Sequence, residues 1–227
     1  MDHLDHLDRR TVAGQAVYTK LVLRLYDFFV LTVSNQWIWE CPTTILKDNY
    51  DRHLSANHLD VGVGTGYFLD NCRFPVENSR VVLFDLNPNT LDYTRTQIAR
   101  LGPESYVVNV LGSITLEGLA KFDSVGINYL LHCLPGDSLS EKSVLFDHLR
   151  GIMNDGCKIF GATILNRDVP RNWLAQQLMA FYNEKGIFSN KNDSLGDLKA
   201  ELEKRFHEVD IEVVGCVALF SAIVHRD

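Results

Sequence analysis

The chain predicts an α/β fold: a mostly parallel, doubly wound sheet, with a helical segment ahead of the first strand and an antiparallel pair of strands at the end. Three observations carry the prediction. Apolar runs of strand length alternate with stretches of helical period, a turn containing Gly62, Gly64 and Gly66 follows the first run, and the second run ends in a carboxylate, Asp85. The length of 227 residues and hydrophobic content of 46% suffice for one sizeable core, which suits a single α/β domain with an accessory segment.

Charge and cysteine usage exclude several classes. A formal net charge of −7, without clustered Lys and Arg, does not fit a nucleic-acid groove. Cysteines at 41, 72, 133, 157 and 216 are odd in number and scattered, with no C-x-x-C pair. That pattern indicates neither a disulfide framework nor a zinc site. The repeated Asp-His-Leu triplet at the start reads as a frayed acidic helix start, and no metal is expected. The start lacks the features of a signal peptide, and no stretch reaches the ~20 apolar residues of a membrane span. A cytoplasmic protein with a small-molecule partner, and none among membranes or nucleic acids, is the expectation; oligomeric state stays open.

Taken in order, residues 11–34 place Val22, Leu25, Tyr26, Phe29, Val30 and Val33 at helical spacing, so one face of this helix is buried. Residues 35–42 read as a turn carrying Trp37 and Trp39, and 43–53 as a further helix. These aromatics are either core or the wall of a lid over a pocket. Leu59, Val61 and Val63 define the first buried strand. Glycines at 62, 64 and 66 allow positive φ and close approach of a ligand to backbone, and a helix over 67–72 would aim its first amides there. A tight turn with no ligand is the alternative.

Residues 79–85 are the second strand. In a doubly wound sheet its terminal Asp85 lies beside the glycine turn, where it can accept from both hydroxyls of a ribose; a helix N-cap is the plainer reading. A helix over 89–100, ended by Gly102-Pro103, leads to a third strand over 105–110. Residues 121–135 hold the fourth strand and the loop with His132; a helix over 140–151 and a fifth strand over 157–165 follow. Helices over 171–185 and 194–206 then precede two strands hinged at Gly215.

Glycine spacing and Asp60 decide which nucleoside fits. A dinucleotide turn has G-x-G-x-x-G, whereas here the third glycine comes one residue early and Tyr67 takes its place. A carboxylate at Asp60 repels phosphate and suits an ammonium group. Asp60-Val61-Gly62-Val63-Gly64-Thr65-Gly66 resembles the acid-x-Gly-x-Gly-x-Gly motif of class I S-adenosyl-L-methionine-dependent methyltransferases. The terminal hairpin also resembles that topology, and the string around His132 looks like small natural-product enzymes.

The resemblance implies a Rossmann-like, seven-stranded, mostly parallel sheet with a C-terminal antiparallel hairpin strand. It divides the chain into a helical lid, 1–53, and a methyltransferase domain, 54–227. S-adenosyl-L-methionine, leaving as S-adenosyl-L-homocysteine, would be held by Asp60, Gly62, Gly64, Gly66, Tyr67, Asp85, Leu86, Asn87, Asn109, Val110, Asn128 and Tyr129. Asn109 stands where the family commonly has an acid reading the adenine amino group; its amide oxygen can accept the same bond. An aromatic or polyketide-like acceptor would meet Tyr18, Tyr26, Trp37, His132, Trp173 and Phe181. His132 is the candidate base, with a loop histidine satisfied by backbone as the alternative. A methyltransferase-like binder without methyl transfer, and a nicotinamide-dependent oxidoreductase, are the other readings.

Overall fold

The structure is a computed structural model and describes residues 28–225. Tyr18, Tyr26 and the helical reading of residues 11–27 lie outside the described residues.

Seven strands form one sheet: β1 (Asn57–Val61), β2 (Arg80–Asp85), β3 (Glu104–Val107), β4 (Phe122–Asn128), β5 (Met153–Ile164), β6 (His207–Val214) and β7 (Val217–Ile223), in the order β3-β2-β1-β4-β5-β7-β6. β1 to β5 pair in parallel, and β7 runs antiparallel between β5 and β6. β2 has a continuous apolar run because helices cover both faces of the sheet: Val81, Val82, Leu83 and Phe84 are all buried. Alternation then sorts β1. Leu59 and Val61 join Val82, Phe84 and Ile127 in one core cluster. Strand alternation sends His58 and Asp60 to the opposite face, where Tyr50, Val81, Leu83 and Phe160 cluster.

The helices are α1 (Thr43–His53), α2 (Tyr67–Asn71), α3 (Pro88–Gln97), α4 (Leu139–Lys142), α5 (Val144–Arg150), α6 (Trp173–Glu184) and α7 (Leu195–Glu203). Asn87, Asn172 and Ser194 cap α3, α6 and α7, each accepting a backbone N–H of the first turn.

Several expected boundaries are corrected. A π-helix occupies Phe28–Ile38 and takes in the first half of the expected turn over 35–42; the Trp39 N–H donates to the Ser34 carbonyl at 2.8 Å. The chain turns only at Glu40, where φ is 55°. β3 stops at Val107 because Asn109 folds the backbone: its side-chain oxygen accepts the Leu111 N–H and its carbonyl the Gly112 N–H. The expected helix over 140–151 breaks at Ser143, whose hydroxyl donates back to the Ser140 carbonyl. β5 begins earlier than expected, with Met153 opposite Phe122 across an irregularity in register.

Of the two readings left open for Trp39, core and lid, the structure shows core: it is buried against Phe188, ring centroids 6.0 Å apart. Its carbonyl accepts the Cys216 N–H at 3.0 Å. The β6–β7 turn reaches it because Gly215 takes φ 57° and has no Cβ, which would lie 2.0 Å from that carbonyl oxygen.

Candidate active site

β1 has β2 on one side and β4 on the other, with the connections leaving in opposite directions, and ligands of open α/β sheets bind at the carboxyl ends of such strands. The glycine turn stands there. Gly62 and Gly66 are required by packing: a Cβ on Gly62 would meet Leu130 Cδ1 at 2.8 Å, and one on Gly66 would meet Thr94 Cγ2 at 2.7 Å. Gly64 differs, since a Cβ there meets nothing within 4 Å, although φ is 55°. The middle glycine therefore faces open space, as a turn meant for a ligand would. Thr94 holds the turn from α3, its hydroxyl donating to the Gly64 carbonyl at 2.9 Å.

Two carboxylates flank this turn. Asp85 ends β2, and its Oδ1 accepts the Asn87 N–H at 2.8 Å. Burial pushes its carboxyl up to about 6; backbone hydrogen bonds from Asn87, Gly64 and Val63 oppose the rise, and the Asp60 charge adds to it. Asp60, on β1, is 7% exposed, and its Oδ2 accepts from the Tyr50 hydroxyl of α1. Tyr50 is 2.8 Å from His58 Nε2, and His58 Nδ1 is 2.8 Å from Ser124 Oγ on β4. Sequence reasoning missed Tyr50, His58 and Ser124. The signal was present for His58, an imidazole two positions before an acid on the same face of a strand.

At the end of β4, Asn128 has both side-chain amide atoms shielded from solvent and without a protein partner. Tyr129 follows with φ 55°; its N–H closes the β4–β5 ladder on Ala162, and its hydroxyl donates to Asn35 Oδ1 at 2.8 Å. The left-handed turn at Tyr129 leads into Leu130, which covers Gly62, and into a single 3-10 turn, Leu131–Cys133.

His132 in that turn is 1% exposed. Its Nδ1 accepts the Ile164 N–H at 3.3 Å, so the ring proton belongs on Nε2. Burial, with the Lys142 charge second, lowers its pKa to about 3. Phe188 packs edge-on at 4.5 Å between ring centroids, and the Ser189 N–H donates to the His132 carbonyl at 2.8 Å. The loop carrying both is clasped by a fully buried ion pair. Lys142 Nζ donates to Asp193 Oδ2 at 2.7 Å, to Oδ1 at 3.0 Å and to the Ser189 carbonyl. Burial is the largest influence on each partner, raising the Asp193 carboxyl and lowering the Lys142 amine against their attraction.

The other candidates are distributed around this centre. Asn87 is buried as the α3 cap, Leu86 is half-buried beside it, and Tyr67 is half-buried at the start of α2. Asn109 is exposed with its side chain folded onto Leu111, while the Val110 side chain lies in the core. Trp37 and Trp173 are 69% and 68% exposed, and the Asn172 side chain joins their segments by donating to the Trp37 and Ile38 carbonyls. Phe181 is 48% exposed on α6.

An acid at each strand end, an open middle glycine and an unsatisfied amide at Asn128 fit a ligand bearing an ammonium group and a ribose. Comparison with known proteins agrees with this chemistry. Residues 59–159 match the family described as a methyltransferase domain. Demethylluteothin O-methyltransferase of Streptomyces thioluteus is 39% identical over 221 residues, 97% of this chain and 94% of that protein. The physcion biosynthesis cluster O-methyltransferase of Aspergillus chevalieri is 36% identical over 214 residues, 94% of this chain and 96% of its own. Among solved structures, a DhpI complex with S-adenosyl-L-homocysteine shares the fold at a TM-score of 0.68 and 11% identity, covering 97% of this chain and 98% of that one. The chain belongs to the class I methyltransferases, in the branch that holds enzymes of secondary metabolism.

Proposed function

We propose that the protein methylates an oxygen of a small aromatic or polyketide-like acceptor, using S-adenosyl-L-methionine. The observation that carries the proposal is the pairing of Asp60 and Asp85 at adjacent strand ends on either side of the open Gly64 turn. Relatives named for O-methylation of natural products support oxygen as the nucleophile.

When bound, the cofactor would supply an electrophilic methyl group to the acceptor oxygen, with the C–S bond breaking, S-adenosyl-L-homocysteine leaving and the hydroxyl proton released to solvent. Asp60 attracts the ammonium, Asp85 accepts from the ribose hydroxyls and the glycine turn lets the ligand approach backbone. Asn128 offers both a donor and an acceptor. On the acceptor side, a neutral ring whose lone pair already accepts the Ile164 amide is a weak base, so the geometry favours positioning as the role of His132. It shapes the wall with Tyr129 and Phe188. From the described part of the expected lid, Trp37 would meet the acceptor, Trp173 and Phe181 would meet it from α6, and α1 is fastened to the sheet through Asn49, whose side chain donates to the Gly161 carbonyl.

Isothermal titration calorimetry tests the reading. S-adenosyl-L-methionine and S-adenosyl-L-homocysteine bind in the micromolar range, roughly 7–8 kcal/mol, and NAD does not. Binding of NAD with no binding of either sulfur ligand overturns it. Profiling with phenolic acceptors, read by a mass increase of one methyl group, then identifies the substrate.

A further inference from the structure

We infer that Tyr50, His58 and Ser124 are positioning residues for the amino-acid end of the cofactor, acting through Asp60. The inference rests on the S-adenosyl-L-methionine reading and goes beyond it by assigning a role to the fully buried chain of donors behind the Asp60 carboxylate.

Direction is the first argument. Tyr50 donates its one hydroxyl proton to Asp60, so it accepts from His58 Nε2–H. Nδ1 of the same ring is then the acceptor for the Ser124 hydroxyl, and Ser124 Oγ accepts the Ser55 N–H at 3.0 Å. Every donor points toward the carboxylate, and each bond polarises the next. Burial keeps the Tyr50 proton in place, raising its pKa well above the ordinary value, with the Asp60 charge as the second cause.

Cost is the second argument. Tyr50, His58 and Ser124 are each fully buried, against Phe160 and the other apolar side chains of this face. Apolar residues of the same size would pack there without the expense of removing polar groups from water. The sheet is shaped to admit them: Gly126 of β4 leaves room for the imidazole, since a Cβ would lie 3.1 Å from His58 Cε1. Position is the third. Tyr50 stacks on Phe68 of α2, with centroids 5.6 Å apart and planes 10° from parallel, so one side chain braces both the acid and the helix that follows the glycine turn. A carboxylate fixed this way meets the ammonium in one orientation rather than several.

The test compares S-adenosyl-L-homocysteine with 5′-methylthioadenosine, which keeps the nucleoside and lacks both the ammonium and the carboxylate. Tyr50→Phe weakens S-adenosyl-L-homocysteine about tenfold and leaves 5′-methylthioadenosine within about twofold of wild type. Asp60→Asn shows the same selectivity, and the double variant loses little more than Asp60→Asn alone, because the hydroxyl acts through the carboxylate. Ser124→Ala removes one oxygen from the far end; a selective loss of about threefold is expected even if Tyr50→Phe folds poorly. Equal losses for both ligands in folded Ser124→Ala or Tyr50→Phe, or full additivity in the double variant, overturn the inference. Wild-type protein that bound 5′-methylthioadenosine no more weakly than S-adenosyl-L-homocysteine would overturn it too. Failure of wild-type protein to bind either ligand is a different result and overturns the cofactor reading itself.

Discussion

At the β1–β2 end of the sheet the site is made by backbone: a turn of positive-φ glycines, held by one threonine, between two strand-end acids. At the β4–β5 end it is made by side chains, with His132, Phe188 and Tyr182 stacked edge to edge under a loop that the Lys142–Asp193 pair clasps. On the proposed reading the first half takes a cofactor of constant shape, and a few obligatory residues suffice. The second half, on the same reading, fits the acceptor, and its shape is carried by packing. Losing the buried clasp of the acceptor half should therefore be read in stability, and losing the glycine turn in cofactor affinity.

Removing one partner of the buried pair is the strongest way to break that contrast. Lys142→Met leaves Asp193 buried and unpaired and costs about 3–5 kcal/mol, read as a large fall in melting temperature, while the folded protein still binds S-adenosyl-L-homocysteine as wild type does. An equal loss of affinity would mean that the halves are one cooperative unit. Gly64→Val does the opposite. A side chain at φ 55° costs about 1–2 kcal/mol of stability, but its bulk stands where the ligand approaches, and cofactor affinity falls by well over tenfold. Unchanged affinity sinks the assignment of the turn.

Asp85 sharpens the comparison through pH. Its carboxyl, raised to about 6 from 3.8, holds its proton more tightly when folded. The folded chain therefore loses stability as pH rises from about 4 to 6, and above that range the charge is a standing cost. Asp85→Asn should raise the melting temperature of the cofactor-free protein at pH 7 by a few degrees, about 1–2 kcal/mol, with no gain at pH 4. The same substitution weakens S-adenosyl-L-methionine by a similar amount. In wild type, cofactor affinity declines below about pH 6 as the carboxyl protonates.

The smaller effects lie on the acceptor side. His132→Asn places an amide oxygen where Nδ1 accepted from Ile164, and we expect kcat to fall less than tenfold, measured against a phenolic acceptor. A fall beyond 100-fold, of the size that general-base loss gives, would restore the base role. Trp37→Ala and Trp173→Ala change stability by no more than about 0.5 kcal/mol, since both rings are largely exposed, and raise the acceptor KM. Lost melting temperature with unchanged kinetics would make them structural.

The parallel strands and the glycine turn were legible because their signals are local. A run of Val, Leu and Phe closed by an aspartate announces a buried parallel strand from Arg80 to Asp85, and glycines at alternate positions announce the turn. The hairpin at Gly215 was legible for the same reason. What stayed hidden depends on contacts between distant residues. Tyr50 reads as an ordinary apolar position of a helix until α1 lies across β1, and Lys142 reads as a surface lysine until the loop of Asp193 closes over it. Ser143 and Asn109 misled the boundaries because side chains of their type compete for backbone hydrogen bonds only once the local geometry exists.

The bond between the Trp39 carbonyl and the Cys216 amide joins positions 177 residues apart in the chain. On the ribosome, Trp39 therefore emerges long before the residue that holds its carbonyl, by about 9–35 s at ordinary elongation rates of ~5–20 residues per second. Throughout that interval the stretch leading into α1 cannot be fixed as it is in the finished protein. Its docking waits for the last strands, so nascent chains released before β7 should expose Trp39 to quenchers in solution, and only the full-length product should shield it.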